Sequence, residues 1–248
     1  MPECVPTEMT HDSDFFRRRF QVRLVERTWP VLYCPDSSVN LPGMIHDDMR
    51  ISRNFKIRDW RALHFKEEAD WVQAVEIFHD RIETRYLEHI DTIIDNPTSG
   101  FAVLTLECAL VETLQQFRTG KSKTPKYKVG EYFVAFLTET SFKNYFDKPK
   151  AELFYTSIRC GLHHQSEAAG SSRIKRVGGR PLVAYTVDGK GIVINVNEFH
   201  QLFKSVLSEY EDSVRKPANT DVRDAFRKKM NYICRIEGKP EAEDAHVP

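Results

Sequence analysis

Arg159, His163 and His164 fall close together in the stretch Phe154–Gln165, FYTSIRCGLHHQ. Arginine is a permanent planar cation suited to phosphate, and histidine moves protons near neutral pH. Their joint presence points to RNA cleavage without a metal. RNA supplies its own nucleophile in the 2′-hydroxyl, so a protein need only position the phosphate, transfer protons and stabilise charge. Helical geometry limits how the three can combine. Arg159 and His164 lie about 140° apart around an ideal helix, whereas His163, four residues after Arg159, shares nearly its face. Two copies meeting across a twofold axis would pool their motifs, and Gly161 gives the helix a place to loosen.

The elements around this stretch read mostly as helix. Trp71, Val75, Phe78, Ile82, Tyr86, Ile90 and Ile94 recur at helical spacing, predicting a long amphipathic helix from about Lys66 to Asp95. The segment Asn96–Gly100 ends it, and Phe101–Arg118 predicts a second, more apolar helix stopped by Gly120. A tight loop between them calls for antiparallel packing. After a loop carrying Lys121, Lys123, Lys126 and Lys128 come short elements near Tyr132–Thr138 and Phe142–Phe146. Pro149 suits the first turn of the helix that bears the motif. Its buried stripe is Leu153, Phe154, Ser157, Ile158, Gly161 and Leu162. The segment Gly170–Gly179 reads as a polar, basic loop. LVAYTV and IVINV around Asp188-Gly189-Lys190-Gly191 predict one hairpin. Asn197 is the expected N-cap of the next helix, and a last helix spans about Thr220–Cys234. Residues 1–65, broken by Pro30, Pro35 and Pro42, read as an irregular extension with one short hairpin. The domain is expected over 66–238 and a disordered tail over 239–248.

Composition narrows the partners. Lys and Arg number 36 against 36 Asp and Glu, so no global field attracts a polyanion and any such partner must meet a local patch. The five cysteines are scattered without zinc-like spacing, which fits a reduced, cytoplasmic setting. No apolar run is long enough to span a bilayer. Without βαβ alternation or a Gly-rich phosphate loop, a nucleotide-binding α/β fold is not expected.

The order of elements, with R-x4-H from Arg159 to His164 on a helix after a long helical pair, resembles the HEPN superfamily. In detail it is similar to uncharacterised bacterial HEPN-like proteins. Those pair a helix like GFAVLTLECALVETLQQFRTG (Gly100–Gly120) with a later one like FYTSIRCGLHHQ. The resemblance covers roughly Glu67–Gly238. It implies a HEPN-like helical bundle and a metal-independent endoribonuclease leaving 2′,3′-cyclic phosphate and 5′-hydroxyl ends. It also implies a homodimer with a composite site, no cofactor and no metal. A toxin or an antiphage or stress-response effector, restrained by an antitoxin or regulatory protein, is the role such domains keep. The family pattern puts the catalytic histidine at His164, with His163 its rival and Arg159 stabilising phosphoryl charge. Cys160 departs from that pattern, because a polar residue such as Asn often follows the arginine and supplies a hydrogen bond.

Glu107, Glu112 and Gln165 are the candidate supporting residues, and Arg173, Lys175 and Arg176 the candidate RNA contacts. Buried carboxylates need partners, so Glu107 and Glu112 either orient Arg159 or a histidine or face solvent. Each candidate has a structural alternative. Arg159 would then be a helix-packing arginine paired with Glu112 or Glu107, the histidines a helix end, and the loop lysines a solvated surface. Two further functions compete with cleavage: an inert HEPN dimer that binds or regulates, and a nucleotide-sensing helical domain.

Overall fold

The computed structural model describes residues 47–176 and 181–236. The chain divides into two units between residues 44 and 45, and every described residue belongs to the second. Of residues 1–65, where one short hairpin is expected, only 47–65 are described, and they hold a single antiparallel bridge between Arg50 and Lys56. The tail expected over 239–248 lies outside the described residues.

The boundary expected at residue 65 falls inside the folded unit. A single-turn helix, α1 (Ile57–Arg61), and its flanks bury Ile51, Ile57, Trp60 and Leu63 in the same core as the later helices. These anchors are too few to form a readable periodicity. Trp60 also donates its indole N–H to the Asn231 side chain, 2.8 Å away, so the segment is fastened to the far end of the chain.

The long helix forms with one irregularity. Helix α2 (Glu68–Ile82) passes through a π-helical segment (Glu83–Leu87) into α3 (Glu88–Ile93). The wider turn buries Leu87 where the even spacing would place Tyr86, which is half-buried, while Ile90 and Ile94 are buried as expected. Helix α4 (Gly100–Thr119) ends at Gly120, whose φ of 66° is left-handed. A Cβ there would lie 2.9 Å from the Ala225 Cα, so glycine serves both the turn and the approach of the last helix.

Helix α5 (Val129–Glu139) and a 3₁₀ turn (Ser141–Asn144) lead to the motif helix. That helix has three parts: α6 (Lys148–Leu153), a π-helical segment (Phe154–Arg159) and α7 (Cys160–Gln165). Asp147 caps it by accepting the Lys150 N–H at 2.9 Å, with Pro149 in the first turn. Gly161 does not mark a loosened turn. A Cβ there would lie 2.3 Å from the Glu167 carbonyl, because the chain folds back over the helix after Ser166.

The segment expected as a basic loop contains a strand. β1 (Arg173–Lys175) runs parallel to β3 (Ile192–Asn195), and β2 (Val183–Tyr185) pairs antiparallel on its other side, giving the order β1-β3-β2. The hairpin is therefore two-thirds of a three-stranded sheet. β1 escapes a sequence reading because only Ile174 is apolar in it. Helix α8 (Val196–Arg215) starts on Asn195 rather than Asn197, and α9 (Thr220–Ile233) closes the unit.

Helix α8 supplies the centre. It packs on α2, α4 and the sheet, while the backbone of α4 runs closest to α5 and α9. The two long helices still meet antiparallel through Phe78 and Phe117, ring centroids 4.7 Å apart, but α8 rather than α4 is the main neighbour of α2. Phe154 of the motif helix stacks on Phe199 of α8 at 5.2 Å with planes 5° apart. Each fully buried phenylalanine contributes about 1.5–3 kcal/mol, so this row fixes the motif helix on the bundle. The fold is mostly helical with a small sheet. No described helix is long and apolar enough to cross a membrane.

Candidate functional site

Arg159 ends the π-helical segment and turns toward α4. Its Nη2 lies 3.5 Å from Glu112 Oε2, and its side chain is 17% exposed. The guanidinium also sits 5.9 Å from the ring centres of Phe133 and Tyr155, within cation–π range. Two aromatic faces and one carboxylate hold the cation in place while leaving part of it open to solvent.

Glu112 is anchored in turn. Its Oε1 accepts from the Thr124 hydroxyl at 2.8 Å, and Thr124 accepts from Gln116 Nε2 at 2.8 Å. Lys229 of α9 donates to Gln116 Oε1 at 2.7 Å and to the Ser122 carbonyl. Burial, with Arg81 acting in the same sense, pushes the Lys229 ammonium down to about 8. One polar chain thus runs from α9 through the loop after α4 to Arg159.

His163 and His164 occupy the last turn of α7 and are exposed. Their rings touch edge to face, centroids 5.0 Å apart, and among the described residues neither ring has a hydrogen-bond partner. Gln165, next to them, is exposed as well. Arg159 is thus fixed against α4 while the histidines stand at the surface. Burial, followed by the neighbouring Cys160 thiol, pushes the Tyr155 phenol up. The position after the arginine therefore adjoins an aromatic wall of the Arg159 pocket.

Glu107 does not meet Arg159, His163 or His164. It is fully buried and its Oε1 lies 2.5 Å from Nδ1 of His200 on α8. At the opposite ring edge, His200 Nε2 lies 2.9 Å from Asp91 Oδ1, and Asp91 accepts from Lys204 Nζ at 3.1 Å. Burial pushes the Glu107 carboxyl up to about 7, against the pull of His200. Burial works against charge on His200, but the hydrogen bonds and charges of Glu107 and Asp91 outweigh it and raise its pKa. Glu107 Oε2 has no hydrogen-bond partner among the described residues. This array joins two fully buried groups, Glu107 and His200, to the part-exposed carboxylate of Asp91. A sequence signal existed: Glu107 and His200 both interrupt apolar helix faces, where polar groups need each other.

The three expected RNA contacts separate. Arg173 and Lys175 project from the same side of β1, both exposed, over an open groove of about 630 Å³ that Ala184 and Val193 also line. Arg173 donates to the Gly170 and Ser172 carbonyls at 3.0 and 2.7 Å. Arg176 is structural: it donates to Asn197 Oδ1 at 3.2 Å and to the Asn96 carbonyl, tying the end of the sheet to the α3–α4 turn. Asn197 is thereby occupied as an acceptor, which fits its displacement from the cap. His79 pairs with Glu211 at 2.9 Å and Asp80 accepts from Asn54, and no described group of His, Cys, Asp and Glu is arranged to hold a metal ion.

No protein-family model, curated protein or solved structure matches the chain.

Proposed function

We propose that this chain is a metal-independent endoribonuclease of HEPN type, acting as a homodimer whose two motif helices share one cleft. One observation carries the reading. A part-exposed arginine, held by Glu112 and two aromatic rings, shares a short helix with two exposed histidines that have no hydrogen-bond partner among the described residues. A phosphate arriving at the surface can draw on both charge and proton transfer there. In the step proposed, a histidine takes the proton of the 2′-hydroxyl as the 2′-oxygen bonds to phosphorus. The bond from phosphorus to the 5′-oxygen breaks, a second imidazole protonates that oxygen, and Arg159 stabilises the phosphoryl oxygens. His164 is the assigned catalyst, and His163 or the other copy of the chain supplies the second imidazole.

The test is cleavage of single-stranded RNA in EDTA, with product ends identified. Arg159→Ala and His164→Ala should each lower the rate by about 10²–10³-fold or more while the chain stays folded. Undiminished cleavage by both variants would overturn the assignment.

A second reading has its own support. Arg159 already has a carboxylate partner, which offsets its charge, and Cys160 takes the place of the family's polar residue. An inert dimer that binds or regulates would show no cleavage by wild-type protein and a lower melting temperature for Arg159→Ala.

A further inference from the structure

The loop between α4 and α5, KSKTPKYK over residues 121–128, carries an aromatic side chain that the fold pushes into water. Tyr127 is 87% exposed, nearly twice the next most exposed aromatic among the described residues, Tyr145 at 46%. Its backbone is left-handed, φ 64°, in a turn closed by the Lys128 N–H on the Pro125 carbonyl at 3.0 Å. That third turn position favours glycine or asparagine. A tyrosine there has neither the easy backbone nor a core to pack against, so local stability does not account for it.

The surroundings of Tyr127 suit a polyanion with planar bases. Lys126 lies over its ring at 5.0 Å, and Lys123 and Lys126 are exposed with no acidic partner among the described residues. Lys128 is different, since it pairs with Glu131 at 2.6 Å. The loop is also fastened beside Arg159 at both ends. Upstream, Thr124 bonds Glu112, the partner of Arg159. Downstream, Gly130 packs so closely on Tyr155 that a Cβ would lie 2.9 Å from its ring, and Tyr155 is the other wall of the Arg159 pocket. Tyr127 lies three residues from Thr124, a reach of no more than about 11 Å.

We propose that this loop is a binding platform for single-stranded RNA, on which Tyr127 stacks a base while Lys123 and Lys126 meet the flanking phosphates. A stacking ring between cations is how proteins hold single strands without reading their sequence. The platform would set the strand beside Arg159, and it rests on the ribonuclease reading only for the identity of the polymer.

The probe is a short fluorescent 2′-O-methyl oligonucleotide, which cannot be cut, so binding is read apart from catalysis. Tyr127→Gly should weaken its binding about tenfold or more while leaving the melting temperature unchanged or raised, because glycine suits the turn. Lys123→Gln with Lys126→Gln should lower the slope of log affinity against log salt by about 1.4. Unchanged affinity in Tyr127→Gly would overturn the platform, even if Arg159→Ala abolishes cleavage. Wild-type binding to polyglutamate as tight as to the oligonucleotide, and equally insensitive to Tyr127, would also overturn it and assign the loop to an acidic protein partner. If the platform holds while no RNA is cut, the cleavage reading fails alone.

Discussion

Glu107 and His200 meet with no solvent access to either side chain, and 93 residues of chain separate them. Their contact joins α4 to α8 at the centre of the bundle, and Asp91 draws in α3 from the opposite ring edge. Such an array responds to pH in a direction that can be worked out. The Glu107 carboxyl is raised from 4.5 to about 7, so over that range the folded chain holds a proton that the unfolded chain releases. Stability from this group therefore falls as pH rises. His200 is also raised, so its contribution is present in acid and fades as pH rises through its folded pKa. Asp91 is lowered, and its contribution is lost only at more acidic pH.

The melting temperature should thus decline between about pH 5 and 7, and Glu107→Gln should flatten that decline. Calorimetry of both proteins across the range checks this. An equal slope in the variant would show that Glu107 is not the linked group, leaving His200 and Glu211, both of which are also raised, as the sources.

Truncating one partner leaves the other buried without compensation. His200→Leu should cost about 3 kcal/mol, lowering the melting temperature by roughly 6–12 °C. The double variant Glu107→Leu with His200→Leu should be less destabilised than His200→Leu alone, because no carboxyl is then stranded. Chemical denaturation of the three proteins reads the coupling.

Gly161→Ala tests whether the motif helix depends on the chain that folds back over it. The added methyl would collide with the Glu167 carbonyl, 2.3 Å away, and Ala169 would be pushed from its 2.8 Å hydrogen bond to the Ser157 carbonyl. We expect a loss of about 2 kcal/mol or more. Hydrogen exchange at the Ala169 amide should accelerate.

Arg159→Lys keeps the charge but loses the planar group that lies against Phe133 and Tyr155. The melting temperature should change little, since the ion pair with Glu112 is part-exposed and such pairs contribute at most about 1 kcal/mol. RNA cleavage should nonetheless fall by about tenfold or more. Equal cleavage by Arg159→Lys would mean that only charge is required.

The sequence made the larger helices legible because their stripes are long and regular: α4 differs from its expected span by one residue at each end, and α9 by one residue at its C-terminal end. Local chemistry that depends on neighbours far along the chain was hidden. Nothing near Tyr86 announces the π-helical segment that buries Leu87 instead. β1 exists only because β3 offers it a partner, so RIK read as loop. At the site, the stretch from Arg159 to His164 stood out by residue type, but its surroundings did not. That Glu112 takes Arg159 while Glu107 takes His200 depends on the rotation of α4 between two helices.

The chain of contacts ending at Lys229 has a temporal side. Arg159 leans on Glu112, Glu112 on Thr124, Thr124 on Gln116, and Gln116 on a lysine in the last helix. During synthesis the arginine and both histidines leave the ribosome well before Lys229 does. A nascent chain halted between the motif and α9 carries the motif without this brace. The enzyme proposed here would thus be assembled last at the place where it is most dangerous to its own message.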